Sequence, residues 1–214
     1  MLEFKHVTKK QGAFELSNIN FSLEEGYLLG IVGKNGSGKT TLMKCMLEES
    51  STYTGTIMYQ GEDIRRQRRK FMEQTAYIGD DNVFLNRKAA IENVDILGGF
   101  YPEMNREKFK TCMKAMQLSY AKTVGDMSRG EFIRFQIAFA RARNARLYLL
   151  DEATAGMDPV FRKEFYDILR EILVTKATIL MTTHVQADIN KNMDYVCCLQ
   201  AGRMLYFQEN PGDV

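Results

Sequence analysis

Short apolar runs separated by turn residues dominate the first sixty positions. Residues 2–7 and 14–23 alternate apolar and polar side chains, the second stretch with interruptions, which predicts half-buried strands. The run Tyr27-Leu28-Leu29-Gly30-Ile31-Val32 predicts another strand, and Thr56-Ile57-Met58-Tyr59 before Gln60-Gly61-Glu62 predicts a further strand and turn. From about Arg87 the period changes: Phe109, Cys112, Met113 and Met116 fall at i, i+3, i+4 and i+7, one face of a helix. Two near-continuous apolar runs follow, Leu147-Tyr148-Leu149-Leu150 and Ala177-Thr178-Ile179-Leu180-Met181, of the kind found in sheets covered on both faces. Between them Phe161, Phe165, Ile168, Leu169 and Ile172 form the buried stripe of a helix that Asp158 can cap and whose first turn suits Pro159. This strand, helix, strand succession implies a right-handed parallel crossover. Residues 195–199, Gly202 and 204–207 read as a closing hairpin.

The chain has 214 residues, 45% of them hydrophobic and 26% charged, which suits one folded α/β domain over 1–214. Three prolines and no linker, repeat or low-complexity tract leave nothing to divide it. The net charge of +2 provides no general pull towards nucleic acid, and no such partner is expected. The one dense basic run, Arg65, Arg66, Arg68, Arg69 and Lys70, lacks interleaved aromatics and is expected to be a solvated loop face. Cys45, Cys112, Cys197 and Cys198 have neither metal-ligand spacing nor the density of a disulfide scaffold, and are expected as small core residues. No stretch approaches the roughly 20 apolar residues of a membrane span and no signal peptide is recognisable, so a cytoplasmic location is expected.

Gly33-Lys34-Asn35-Gly36-Ser37-Gly38-Lys39-Thr40 fits G-x-x-x-x-G-K-[ST] and lies between an apolar strand and a helical run, where that pattern has physical meaning. Its glycines let successive backbone N–H groups and the next helix N-terminus point at phosphate oxygens. Lys39 would reach the β- and γ-phosphates and Thr40 would bind Mg²⁺, with Thr41 completing the nucleotide-binding run. The strand 147–150 ends in Asp151-Glu152, neighbours that point in different directions. Asp151 suits Mg²⁺, and Glu152 suits polarisation of an attacking water as general base. Met127-Ser128-Arg129-Gly130-Glu131 opens a helix whose N-terminus is a second candidate anion site.

This order of motifs resembles the nucleotide-binding subunit of ATP-binding cassette (ABC) transporters over essentially the whole chain. Residues 33–40 look like Walker A, 147–151 like Walker B with Glu152 as the catalytic glutamate, and Ser128-Arg129-Gly130-Glu131 like the LSGGQ signature. Ala155-Gly156-Met157-Asp158 is similar to the D-loop, and His184 resembles the switch histidine. The resemblance implies a P-loop cassette with a mixed sheet core, N-terminal antiparallel strands, a RecA-like core over 1–86 and 127–214, and a helical subdomain over 87–126. It also implies an ATP hydrolase using Mg²⁺, acting as a head-to-tail homodimer or heterodimer beside a separate transmembrane subunit, and therefore peripheral on the cytoplasmic face. Each ATP would lie between Walker A of one copy and Ser128 and Gly130 of the other, with Asp158 coupling the sites and His184 positioning water. Three departures stand out. Arg129 replaces the first signature glycine and Glu131 the glutamine. Asp80, with Asp81 the alternative, stands for the Q-loop glutamine. Gln11 occupies the place of the adenine-stacking aromatic, and Phe14 is the substitute. The size and the partial match at residues 77–84 lean towards an exporter-type assembly. A soluble ABC-type ATPase acting on ribosomes or DNA is the alternative, and an unrelated P-loop kinase a more distant one.

Overall fold

A computed structural model describes residues 1–48, 52–80, 83–184, 189 and 191–210. The chain opens with β1 (Leu2–Gln11) and β2 (Phe14–Leu23), an antiparallel pair, then β3 (Leu28–Val32) and α1 (Lys39–Leu47). Strands β4 (Thr54–Tyr59) and β5 (Glu62–Asp63), helix α2 (Arg68–Gln74) and strand β6 (Thr75–Ile78) follow. Three helices come next: α3 (Ala90–Leu97), α4 (Arg106–Ala115) and α5 (Arg129–Ala142). The chain then runs through β7 (Leu147–Asp151), α6 (Pro159–Val174), β8 (Thr178–Thr183), β9 (Tyr195–Gln200) and β10 (Arg203–Glu209).

Among the described residues ten strands join one mixed sheet in the order β5-β4-β1-β2-β10-β9-β3-β8-β7-β6. Pairings from β5 to β2 are antiparallel, and those from β9 through β3, β8 and β7 to β6 are parallel. Strand β10 links the halves, antiparallel to β9 and parallel to β2 at Arg203 and Ser17. Strands β7 and β8 are parallel neighbours joined through α6, as the alternation predicts. Parallel strands all end on one edge. Val32 pairs with Thr183, Asp151 with Thr182 and Ile78 with Leu150, so the turns carrying chemistry leave the sheet side by side.

The central strands β3, β7 and β8 are buried at every position except Asp151, because each face has its own cover. Tyr148, Leu150, Ile179 and Met181 pack with residues of α4, α5 and α6, while Leu147, Leu149, Leu180 and Ile31 pack with α1 and the antiparallel strands. Phe109, Cys112 and Met113 of α4 are buried as their spacing predicts, and they belong to the same core as the sheet. Phe84 meets Phe132, Phe135 and Phe139 of α5 edge-on, which ties that core to the segment after β6.

Four expectations need correction. Strand β1 continues to Gln11, because register shifts between Phe4 and Val7 and between Val7 and Lys9 break the alternation that marks a strand. On α6, Phe165, Leu169 and Ile172 are buried, but Phe161 and Ile168 are only half-buried. The Phe161 ring lies beneath Gly130 and Arg134 of α5 instead of the sheet. The basic run is more than a solvated loop: Arg68 begins α2 and donates to the Met46 and Leu47 carbonyls, and Arg65 donates to the Gly55 carbonyl at 2.8 Å. These guanidiniums satisfy backbone acceptors that no local pattern announces. Finally, Cys45, Cys112 and Cys197 are buried as expected, whereas Cys198 is half-buried. All four are free, and burial pushes the Cys197 thiol up to about 12.

Candidate functional site

The chain leaves β3 at Val32 and turns through residues 33–38 into α1. Gly38, the N-cap, has φ 110°, a left-handed conformation in which a side chain is strained. A Cβ there would also lie 3.0 Å from Phe14 Cζ, so the ring of Phe14 packs directly on this loop. Among the described residues no side chain caps α1, which leaves its first amides directed at the cavity in front of them. Lys39 is buried, and its ammonium donates to the Gly33 carbonyl at 2.8 Å and the Lys34 carbonyl at 3.4 Å. Beside it the Ser37 hydroxyl is buried and has no hydrogen-bond partner among the described residues. An orphaned buried hydroxyl is costly and suits a ligand oxygen.

The acids that end β7 face this loop. Thr40 donates its hydroxyl to Asp151 Oδ2 at 3.4 Å. Glu152 has φ 47°, an uncommon conformation for a residue with a side chain, and this sharp turn separates its carboxylate from that of Asp151. Glu152 Oε1 lies 3.8 Å from Lys39 Nζ and 3.9 Å from His184 Nδ1 at the end of β8. Thr182, fully buried on β8, donates to Asp151 Oδ1 at 2.6 Å and accepts from the Glu152 amide at 2.8 Å.

A cavity of about 660 Å³ joins these parts. It is lined by Asn35, Gly36, Gly38, Lys39, Thr40 and Thr41, by Asp151 and Glu152, and by Gln11, Phe14, Tyr77 and Asp80. Among the described residues no three His, Cys, Asp or Glu side chains form a ready metal site. The hard oxygens of Thr40 and Asp151 nevertheless suit Mg²⁺, which usually takes one or two protein ligands and completes its shell with waters and substrate phosphates. Asp80 follows Gly79, whose amide donates to the Gln136 side chain of α5 and whose carbonyl accepts from it, both at 3.1 Å. Asp81 lies outside the described residues.

Ser128 and its neighbours are not part of this cavity. Ser128, Arg129 and Gly130 line a separate depression of about 400 Å³ with Ala155, Gly156, Met157 and Asp158. Ser128 caps α5 by accepting from the Glu131 amide, and the Glu131 carboxylate accepts in return from the Ser128 amide at 2.8 Å. Lys122 also donates to both Glu131 oxygens, and together these donors hold that carboxyl down to about 2. Glu131 is thereby turned onto its own helix. Arg129 likewise faces its own chain, with its guanidinium on Asp80 and on the carbonyls of Glu152 and Ala155. Asp158 caps α6, accepting from the Val160 and Phe161 amides at 3.0 Å each. Sequence patterns missed Thr182, Gln136 and the contacts of Arg129, whose partners are distant in the chain.

The family model described as ABC transporter matches residues 16–155. The Nod factor export ATP-binding protein I of Cupriavidus metallidurans is 26% identical over 211 residues, spanning 96% of this chain and 70% of that protein. A solved ATP-binding subunit of an ABC transporter superposes with a TM-score of 0.86 at 21% identity, covering 98% of this chain and 90% of the other. The ATP-binding cassette MJ0796, solved as a dimer in a post-hydrolysis state with ADP and Pi, superposes at 0.84 and 21% identity over 100% of both chains. At such identities the superpositions establish the fold alone.

Proposed function

The chain belongs to the ABC transporter family, and from that premise we propose that it is an ATP-hydrolysing subunit that drives a separate membrane-spanning partner through head-to-tail pairing of two cassettes. One observation carries the reading: Lys39, Thr40, Asp151 and Glu152 line one cavity, while Ser128 and Gly130 line another. A composite site made by two copies brings the two sets together.

In this reading the α1 amides and Lys39 bind the triphosphate, and Phe14 stacks on the base from its place against Gly38. Thr40 and Asp151 would hold Mg²⁺, which supplies neutralisation of phosphate charge. Glu152 accepts a proton from water as the water oxygen bonds the γ-phosphorus and the bond to the departing ADP oxygen breaks, a contribution of about 10²–10⁴ in rate. His184, 3.9 Å from Glu152, orients that water, and Asp158 couples the two sites through the cap of α6. Ser128 and Gly130 of the second copy close over the γ-phosphate.

No helix among the described residues is long and apolar enough to cross a membrane, so attachment to a membrane is assigned to the partner subunit. An apolar groove of about 830 Å³ between α1, α2, α5 and residues 99–102, which includes Phe84, Phe100, Tyr101 and Phe139, supports docking of that subunit on this side. The test is light scattering of the Glu152→Gln chain. Saturating ATP with Mg²⁺ should give a stable dimer, and monomers under those conditions would overturn the reading.

A further inference from the structure

Helix α5 holds the segment that carries Asp80 at two points of opposite physical character. At Gln136 the grip is a reciprocal pair of neutral hydrogen bonds to Gly79, buried from water. Two turns earlier it is an ion pair, Arg129 Nε to Asp80 Oδ1 at 3.1 Å, with side chains 39% and 77% exposed. The same guanidinium donates through Nη2 to the Glu152 carbonyl at 3.2 Å and through Nη1 to the Ala155 carbonyl. One side chain thus joins the first turn of α5 to the Asp80 carboxylate and to the turn that bears the general base. A buried neutral pair has no competitor, but an exposed ion pair is worth only about 0–1 kcal/mol and yields to a stronger cation. Asp80 borders the cavity that also contains Thr40 and Asp151. A divalent cation and a guanidinium on one carboxylate would repel at such short range.

We propose that Arg129 competes with Mg²⁺ for the Asp80 carboxylate, so that the start of α5 is freed from Asp80 when metal arrives with nucleotide, while Gln136 keeps the helix pivoted on Gly79. This rests on the nucleotide site proposed above. Arg129 is a positioning residue here, and the exchange uses only contacts weak enough to break on each cycle.

The experiment is a Mg²⁺ titration of fluorescent ADP binding to the full chain, at concentrations where gel filtration gives monomers. Arg129→Gln should lower the Mg²⁺ needed for half-saturation by about threefold, the range of an exposed ion pair. Arg129→Lys keeps the charge and should stay near the wild type. Asp80→Asn should raise the Mg²⁺ requirement, and adding Arg129→Gln to it should change nothing further. An unshifted titration for Arg129→Gln, an equal shift for Arg129→Lys, or the full threefold shift persisting in the Asp80→Asn background would each overturn the inference. Absence of nucleotide binding by the wild type would instead overturn the underlying site assignment.

Discussion

The hydroxyl of Thr182 donates to Asp151 Oδ1 across 2.6 Å, and its oxygen accepts the amide of Glu152, so one buried side chain on β8 orients both acids at the end of β7. A bond to a carboxylate is charge-assisted and short, and this one anchors the strand end just where the backbone enters the left-handed region at Glu152. Thr182→Val preserves the shape and removes both bonds. Its expected cost is about 1–3 kcal/mol of stability, from the orphaned amide and the freed carboxylate, together with a fall in turnover. Urea unfolding and steady-state ATPase assays measure the two effects. Wild-type values for both would mean that the turn holds itself.

Lys39 is buried, and among the described residues its ammonium meets the Gly33 and Lys34 carbonyls and, at 3.8 Å, the Glu152 carboxylate. Replacement by Met keeps the packing stem and removes the charge. Nucleotide affinity is expected to fall by about ten- to hundredfold, the range of a hydrogen bond to a charged group. Calorimetric titration with ATP checks this, and an unchanged affinity would move the phosphate site away from residues 33–40.

A Cβ on Gly130 would sit 3.0 Å from Phe161 Cε1, under a ring that Arg134 covers at 4.8 Å. Overpacking of this kind costs about 1–3 kcal/mol, and Ala gains up to about 1 kcal/mol over Gly in a helix. Gly130→Ala should therefore destabilise the chain only modestly. The larger effect is expected on pairing, because the added methyl narrows the depression beside Ser128. In a Glu152→Gln background, ATP-driven dimers should dissociate more readily by analytical ultracentrifugation; equal dissociation would separate this depression from the interface.

Glu131 offers a test by pH. Its carboxyl is held near 2 in the folded chain, against 4.5 when unperturbed, first by Lys122 and then by the Ser128 amide. A lowered folded value adds stability that is complete above about 4.5 and is lost as pH falls through about 2. Glu131→Gln retains much of the cap but loses the ion pair. The difference in melting temperature between wild type and variant should be constant from neutral pH to about 5 and close towards about 2. A difference independent of pH would assign the effect to the cap alone.

The motifs were legible because each is local. Residues 33–40 sit between an apolar strand and a helix, and Asp151-Glu152 end a strand that a near-continuous apolar run marks plainly. Phe14 pairs with Gln11 across the first hairpin, so one short turn brings both residues to the cavity wall. The strands β5 and β6 and helix α2 went unread, being too short for a period to show.

Arg129 shows where such reading stops. A residue that the family pattern turns towards a second copy reaches, in this chain, a carboxylate 49 positions earlier and carbonyls 23 and 26 positions later. Local patterning determined the α/β class, the phosphate loop and the paired acids, since backbone propensity and side-chain period act within a few residues. Which groups touch Asp80, Asp151 and Glu152 was decided only by strand register and by the docking of α5 against the sheet. Those arise from long-range burial, which no window along the chain contains.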